Sequence, residues 1–170
     1  MYVRVLSNKS MTRVEFWLTP FTRPLLALVA PHGLTDLNKP GVFGRYACWL
    51  ALPLPPKATT ALFCLASVYH LCHDVGSGGS LFVHALIYDV HQLLGPQVAF
   101  ETFLVYFALV HTPLHYLTEA IRGNAPLVYA SLATSVLLWA MPCGNRFVLT
   151  DAAQRLVVAH IVTVAAGAAS

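Results

Sequence analysis

A chain of 170 residues that is 57% hydrophobic, only 10% charged and of mean hydropathy +0.65 has too few charges to coat an ordinary soluble domain, where about a quarter of residues are charged. Its net charge of +3 comes from ten basic and seven acidic residues scattered along the chain. There is no basic stripe interleaved with aromatics, so nucleic acid is not an expected partner, and the small excess suits anionic lipid. The expectation is an all-α fold: a polytopic transmembrane bundle of six to seven helices, a multi-pass integral protein whose first partner is the lipid bilayer.

In chain order, residues 1–14 read as a short polar tail on a single transmembrane domain spanning 1–170. This start is not expected to act as a signal peptide, because Pro20, Arg23 and Pro24 interrupt its apolar part and no convincing small-residue cleavage site follows. Segment 15–33 is apolar but carries Arg23. Segment 42–56, "VFGRYACWLALPLPP", is a short second run. The charge-free stretches between Lys57 and Asp74, Glu101 and Glu119, Arg122 and Arg146, and after Arg155 predict helices at about 58–75, 98–119, 125–142 and 148–168. A further segment, 80–95, carries His84, Asp89 and His91. The links "GLTDLNKPG", "PLPPK", "VGSGGS", "LGPQ", "RGNAP" and "PCGN" all contain Gly or Pro, as turns require. Cys48, Cys64, Cys72 and Cys143 form no CxxC pair and read as reduced packing residues.

The eight histidines lie within or at the ends of apolar segments, where an ionisable group is costly and points to function. His160, with no polar neighbour close in sequence, fits a hydrogen-bonded helix residue. His32, His70, His111 and His115 end the first, third and fifth segments. If every segment crosses, their imidazoles gather toward one side of the membrane. His111 and His115 also share one helical face, at i and i+4. Four imidazoles suit a divalent transition metal and leave an octahedral ion room for a small ligand; a closed zinc site is the structural alternative.

Asp36 and Asp74 each follow a histidine by four residues, the spacing at which a carboxylate orients a ligating ring. His73 competes with His70 by spacing alone. Tyr88, on one face with His84 and His91, is placed in an outer shell. Pro31 and Pro113 adjoin the histidines and bend the chain there.

Three of these clusters together resemble the Brp/Blh family of membrane β-carotene 15,15′-dioxygenases. Its PHGxxD-type motif is matched by Pro31-His32-Gly33-Leu34-Thr35-Asp36, its SxxHxxxD-type motif by Ser67 to Asp74, and its paired-histidine motif by His111-Thr112-Pro113-Leu114-His115. Family members usually have Phe-Gly where this chain has Leu71-Cys72, and they are longer between the second and third motifs. The resemblance implies that His32, His70, His111 and His115 bind Fe(2+), which selects His70 over His73. It implies cleavage of the central double bond of an apolar polyene by dioxygen, giving two retinal molecules, with a retinal-binding membrane protein as recipient of the product. The polyene needs an apolar channel, for which Phe63, Tyr69, Phe103, Tyr106, Phe107 and Tyr116 are candidate walls.

Two other readings compete. A membrane di-iron hydroxylase or desaturase also uses HxxxH, but needs HxxHH boxes that this chain lacks. The other is a small polytopic protein without catalysis, with structural histidines or as a haem- or metal-binding accessory; haem would need only two axial histidines.

Overall fold

The computed structural model describes residues 6–8, 11–74, 93, 95–142, 144 and 146–168. The fold is all-α, with six continuous helices among the described residues and three short strands besides. Those strands are Leu6–Asn8 (β1), Met11–Trp17 (β2) and Arg146–Leu149 (β3), ordered β1–β2–β3. β1 and β2 pair antiparallel, Leu6 with Arg13 and Asn8 with Met11. Within the stretch read as a polar tail, the described residues therefore form strands. Within β2, Arg13-Val14-Glu15-Phe16 alternates polar and apolar residues with period two, a strand pattern.

The segment expected to cross first, 15–33, is not a helix of spanning length. β2 runs to Trp17, and a reciprocal pair then opens the helix Thr22–Val29 (α1). In that pair the Thr19 N–H donates to Thr22 Oγ1 at 2.8 Å and the Thr22 N–H donates to Thr19 Oγ1 at 3.1 Å, satisfying donors that a helix start leaves open. Eight residues rise about 12 Å, far short of the roughly 30 Å hydrocarbon core. Pro31 lacks the N–H that would continue the α-helix, and the chain passes into a 3₁₀ helix, Ala30–Asn38. The second weak segment likewise yields only the ten-residue helix Val42–Ala51 (α2), stopped before Pro53, Pro55 and Pro56.

The longer helices fall where the charge-free intervals put them. They are Pro56–Asp74 (α3), Pro96–Tyr106 (α4), Thr112–Ile121 (α5), Ala125–Ala140 (α6) and Asp151–Ala168 (α7). A π turn, Phe107–His111, joins α4 to α5 without a break, and the Thr112 N–H reaches back to the Phe107 carbonyl. That i→i+5 bond sits just before Pro113, whose missing N–H interrupts the α ladder. The joined helix Gln97–Ile121 has 25 residues, and among the described residues it alone is long and apolar enough to cross a membrane; α6 is apolar but shorter. The expected segment 80–95 lies outside the described residues, apart from Leu93 and Gly95.

The chain divides into two compact units: Met1–Glu15, Lys39–Leu86 and Val148–Ser170 form the first, and Phe16–Asn38 with Ile87–Phe147 the second. In the first, α7 packs on α2 and α3. Buried Arg155 on α7 donates to Asp151 and to the carbonyls of Trp49, Leu52 and Leu54. One guanidinium thus satisfies the carbonyls that the end of α2 and its Pro-rich exit leave open. Thr60 on α3 donates to Gln154 Oε1 at 2.9 Å, and Arg45 on α2 donates to Thr163 Oγ1 at 3.2 Å.

In the second unit, α1 and the 3₁₀ helix pack on α6, and α1 also meets α4 and the π turn. Gln97 clasps the end of β2: its Oε1 accepts from the Trp17 N–H at 3.1 Å and its Nε2 donates to the Trp17 carbonyl at 2.9 Å. Phe16, Phe100 and Phe147 stack beside it. Arg23 donates to the Trp139 and Met141 carbonyls at the C-terminus of α6, where a cation also suits the helix dipole. A cleft of about 570 Å³ opens there, lined by Pro20, Arg23, Pro24, Trp139, Ala140 and Pro142.

Candidate metal centre

Three of the four expected ligands meet inside the second unit. The 3₁₀ helix supplies His32 and the π-turned helix supplies His111 and His115. Their ring centroids are 5.1 Å apart for His32–His111, 5.5 Å for His32–His115 and 5.9 Å for His111–His115. His32 stands edge-on to both of the others, at 88° and 89°. His111 is buried in the π turn.

The π turn explains the alignment. Four residues of α-helix turn about 400°, so an i, i+4 column drifts by about 40° per step. A wider turn offsets that drift. Phe103, Phe107, His111 and His115 accordingly form one column, with centroids 4.2, 4.6 and 5.9 Å apart at successive steps. Pro113 was expected to bend this helix; the adjoining feature is the change of register.

The 3₁₀ helix has an equally specific effect. With three residues per turn it eclipses positions i and i+3, which sets Thr35 over His32. Fully buried Thr35 donates from Oγ1 to the His32 carbonyl at 2.8 Å, and the same oxygen lies 2.8 Å from His115 Nε2. His32 Nδ1 faces the Val29 carbonyl. A carbonyl only accepts, so Nδ1 carries the proton and Nε2 holds the lone pair. A backbone carbonyl faces this nitrogen. Asp36 itself is buried in the 3₁₀ helix.

The donor chemistry fits a divalent transition metal. The ring centroids of this trio lie 5.1–5.9 Å apart, which gathers three borderline nitrogen donors in one place. His32 also has its tautomer fixed by an acceptor behind it, as ligating histidines do. The planes of His111 and His115 are nearly parallel, at 8°, so an ion shared by all three requires one of those rings to turn.

His70 lies in the first unit, buried on α3, where it meets His160 of α7 edge-on at 5.4 Å and 85°. His160, read from sequence as an ordinary helix residue, therefore has an imidazole neighbour 90 positions away. With Gln154, Arg155 and Thr163 it is one of the buried polar residues of an otherwise apolar helix. The side chains of His73 and Asp74, in the last turn of α3, lie outside the described residues, as do Tyr88, His84 and His91 altogether.

The six aromatic wall candidates divide. Phe103, Tyr106, Phe107 and Tyr116 share the helix of His111 and His115. Phe107 and Tyr116 are buried, Phe107 against the His111 ring and Tyr116 6.4 Å from His115. Phe63 and Tyr69 belong to α3, and Tyr69 is half exposed. The cleft beside Arg23 includes none of the histidines or these aromatics among its lining residues. Compared with family models, curated proteins and solved structures, the chain finds no match.

Proposed function

We propose that this chain is an iron-dependent membrane dioxygenase that cleaves the central double bond of β-carotene, or of a related carotenoid, to retinal. The observation that carries the reading is the meeting of His32 with His111 and His115 inside one compact unit. His70, which belongs to the other unit, is a ligand only by the resemblance of its motif. In the reaction the central C=C breaks, and the two atoms of dioxygen become the oxygens of two aldehydes, so the equation balances without a further reductant. Fe(2+), when bound, supplies the activation of dioxygen. The chain's own contribution is to hold neutral imidazoles in fixed tautomers and to line their approach with Phe103, Tyr106, Phe107 and Tyr116, which exclude water.

The same reading takes the protein as multi-pass. Apolar side chains stand outward on the helix Gln97–Ile121, with Leu109 at 65% and Ile121 at 77% exposure, and α6 shows Val136 and Leu137 likewise. Lipid suits such surface better than water does. The product, a hydrophobic aldehyde, would pass to a retinal-binding membrane protein.

The test is expression in cells that accumulate β-carotene. Wild type should bleach the cells and form retinal, and His111→Ala should do neither. Equal retinal from both removes His111 from the mechanism, and none from wild type rejects the activity.

A further inference from the structure

We infer that Thr35 is a positioning residue that fixes His115 as its Nε2–H tautomer, so that His115 presents Nδ1, not Nε2, as its lone-pair nitrogen. The argument is a proton count at one buried oxygen. A threonine hydroxyl has one proton and two lone pairs. Thr35 Oγ1 lies 2.8 Å from the His32 carbonyl oxygen and 2.8 Å from His115 Nε2. Two oxygens at that separation need a proton between them, and the carbonyl has none to give, so the hydroxyl proton goes to the His32 carbonyl. The contact with His115 then needs its own proton, which comes from Nε2. In the neutral ring Nδ1 is left as the acceptor.

The arrangement is built, not incidental. Thr35 is fully buried, and the 3₁₀ register fixes its hydroxyl over His32. The one hydroxyl links the backbone of His32 to the ring of His115, across 80 residues of sequence. The two rings thus present opposite nitrogens: His32 offers Nε2 and His115 offers Nδ1. For a metal the consequence is that His115 ligates through Nδ1. That consequence rests on the function proposed above; the tautomer assignment does not.

The experiment uses the full chain in detergent micelles with ¹⁵N-labelled histidine, free of metal, at about pH 8.5, where an ordinary imidazole of pKa ≈ 6.5 is neutral. Nitrogen shifts distinguish the proton-bearing from the bare ring nitrogen, and His115→Gln assigns the signals. The expected result is a protonated Nε2 and bare Nδ1 for His115 in wild type and in Thr35→Ser, which keeps the hydroxyl. Thr35→Val, which keeps the shape and loses the hydroxyl, should shift His115 away from that tautomer. A wild-type His115 protonated at Nδ1, or a Thr35→Val spectrum matching wild type, overturns the proposal.

Anaerobic titration with Fe(II) is the second readout. Thr35→Val should bind about 10- to 100-fold more weakly, the usual effect of losing the group that orients a ligand, and Thr35→Ser should bind like wild type. Equal Fe(II) affinity in wild type and Thr35→Val overturns the metal consequence. No Fe(II) uptake by any form, with the tautomer as stated, upholds the Thr35 assignment and rejects the metal reading instead.

Discussion

Glu119 offers a quantitative test of how the histidine unit is held. It is buried in the last turn of α5, four residues beyond His115. One carboxylate oxygen faces Arg122 at 3.4 Å, and the other accepts from Asn124 Nδ2. Asn124 in turn accepts from Asn38, the last residue of the 3₁₀ helix that carries His32 and Thr35. The Arg122 side chain is 56% exposed, so its ion pair contributes at most about 1 kcal/mol. The hydrogen bond to a buried carboxylate contributes about 1.5–3 kcal/mol. Glu119→Ala should therefore cost about 2–4 kcal/mol, and Arg122→Ala about 1 kcal/mol or less. For a chain of this size about 1 kcal/mol lowers Tm by roughly 2–4 °C. Thermal unfolding in detergent should then show a drop of roughly 4–16 °C for Glu119→Ala and no more than about 4 °C for Arg122→Ala. Equal losses from the two variants would refute the reasoning, because the exposed ion pair would then hold the turn.

Two further changes probe the same framework. Arg155→Leu removes the cation that serves three carbonyls and Asp151 in the first unit, and breaking such a buried pair costs about 3–5 kcal/mol; a Tm within about 3 °C of wild type would show that those carbonyls do not depend on it. Pro113→Ala restores an N–H after the π turn and lets an α register return. It should leave the helix content by circular dichroism unchanged while weakening Fe(II) binding at least several-fold, and unchanged binding would show that the π turn does not set the His111 position.

Particular residues show what was legible before any coordinates. Helix positions followed the charges: Lys57 and Asp74 stand at the ends of α3, and Arg122 and Arg146 bracket α6, because charged residues fall at the polar ends of apolar helices. The pairing of His111 with His115 is local, fixed by helical spacing. Its meeting with His32 was expected from motif order alone. Other features depend on backbone choices that composition does not record. Pro31 and Pro113 were seen as bends, yet one begins a 3₁₀ helix and the other follows a π turn, and these registers place Thr35 over His32 and align the column from Phe103 to His115. The strands β1 and β2 were hidden by the polar look of the first 14 residues, although the alternation from Arg13 to Phe16 was there to count. His160 was missed because its neighbour His70 is 90 residues away.

The central proposal is that His32, His111 and His115 are among the ligands of one iron. Its most direct test is the iron content of the full chain, purified without oxygen from iron-supplied cells. One iron per chain is predicted for wild type, and much less than one when any of the three is changed to alanine. A wild-type chain that carries no metal, or alanine variants that retain it in full, would contradict the account, while two irons per chain would favour a di-iron enzyme instead.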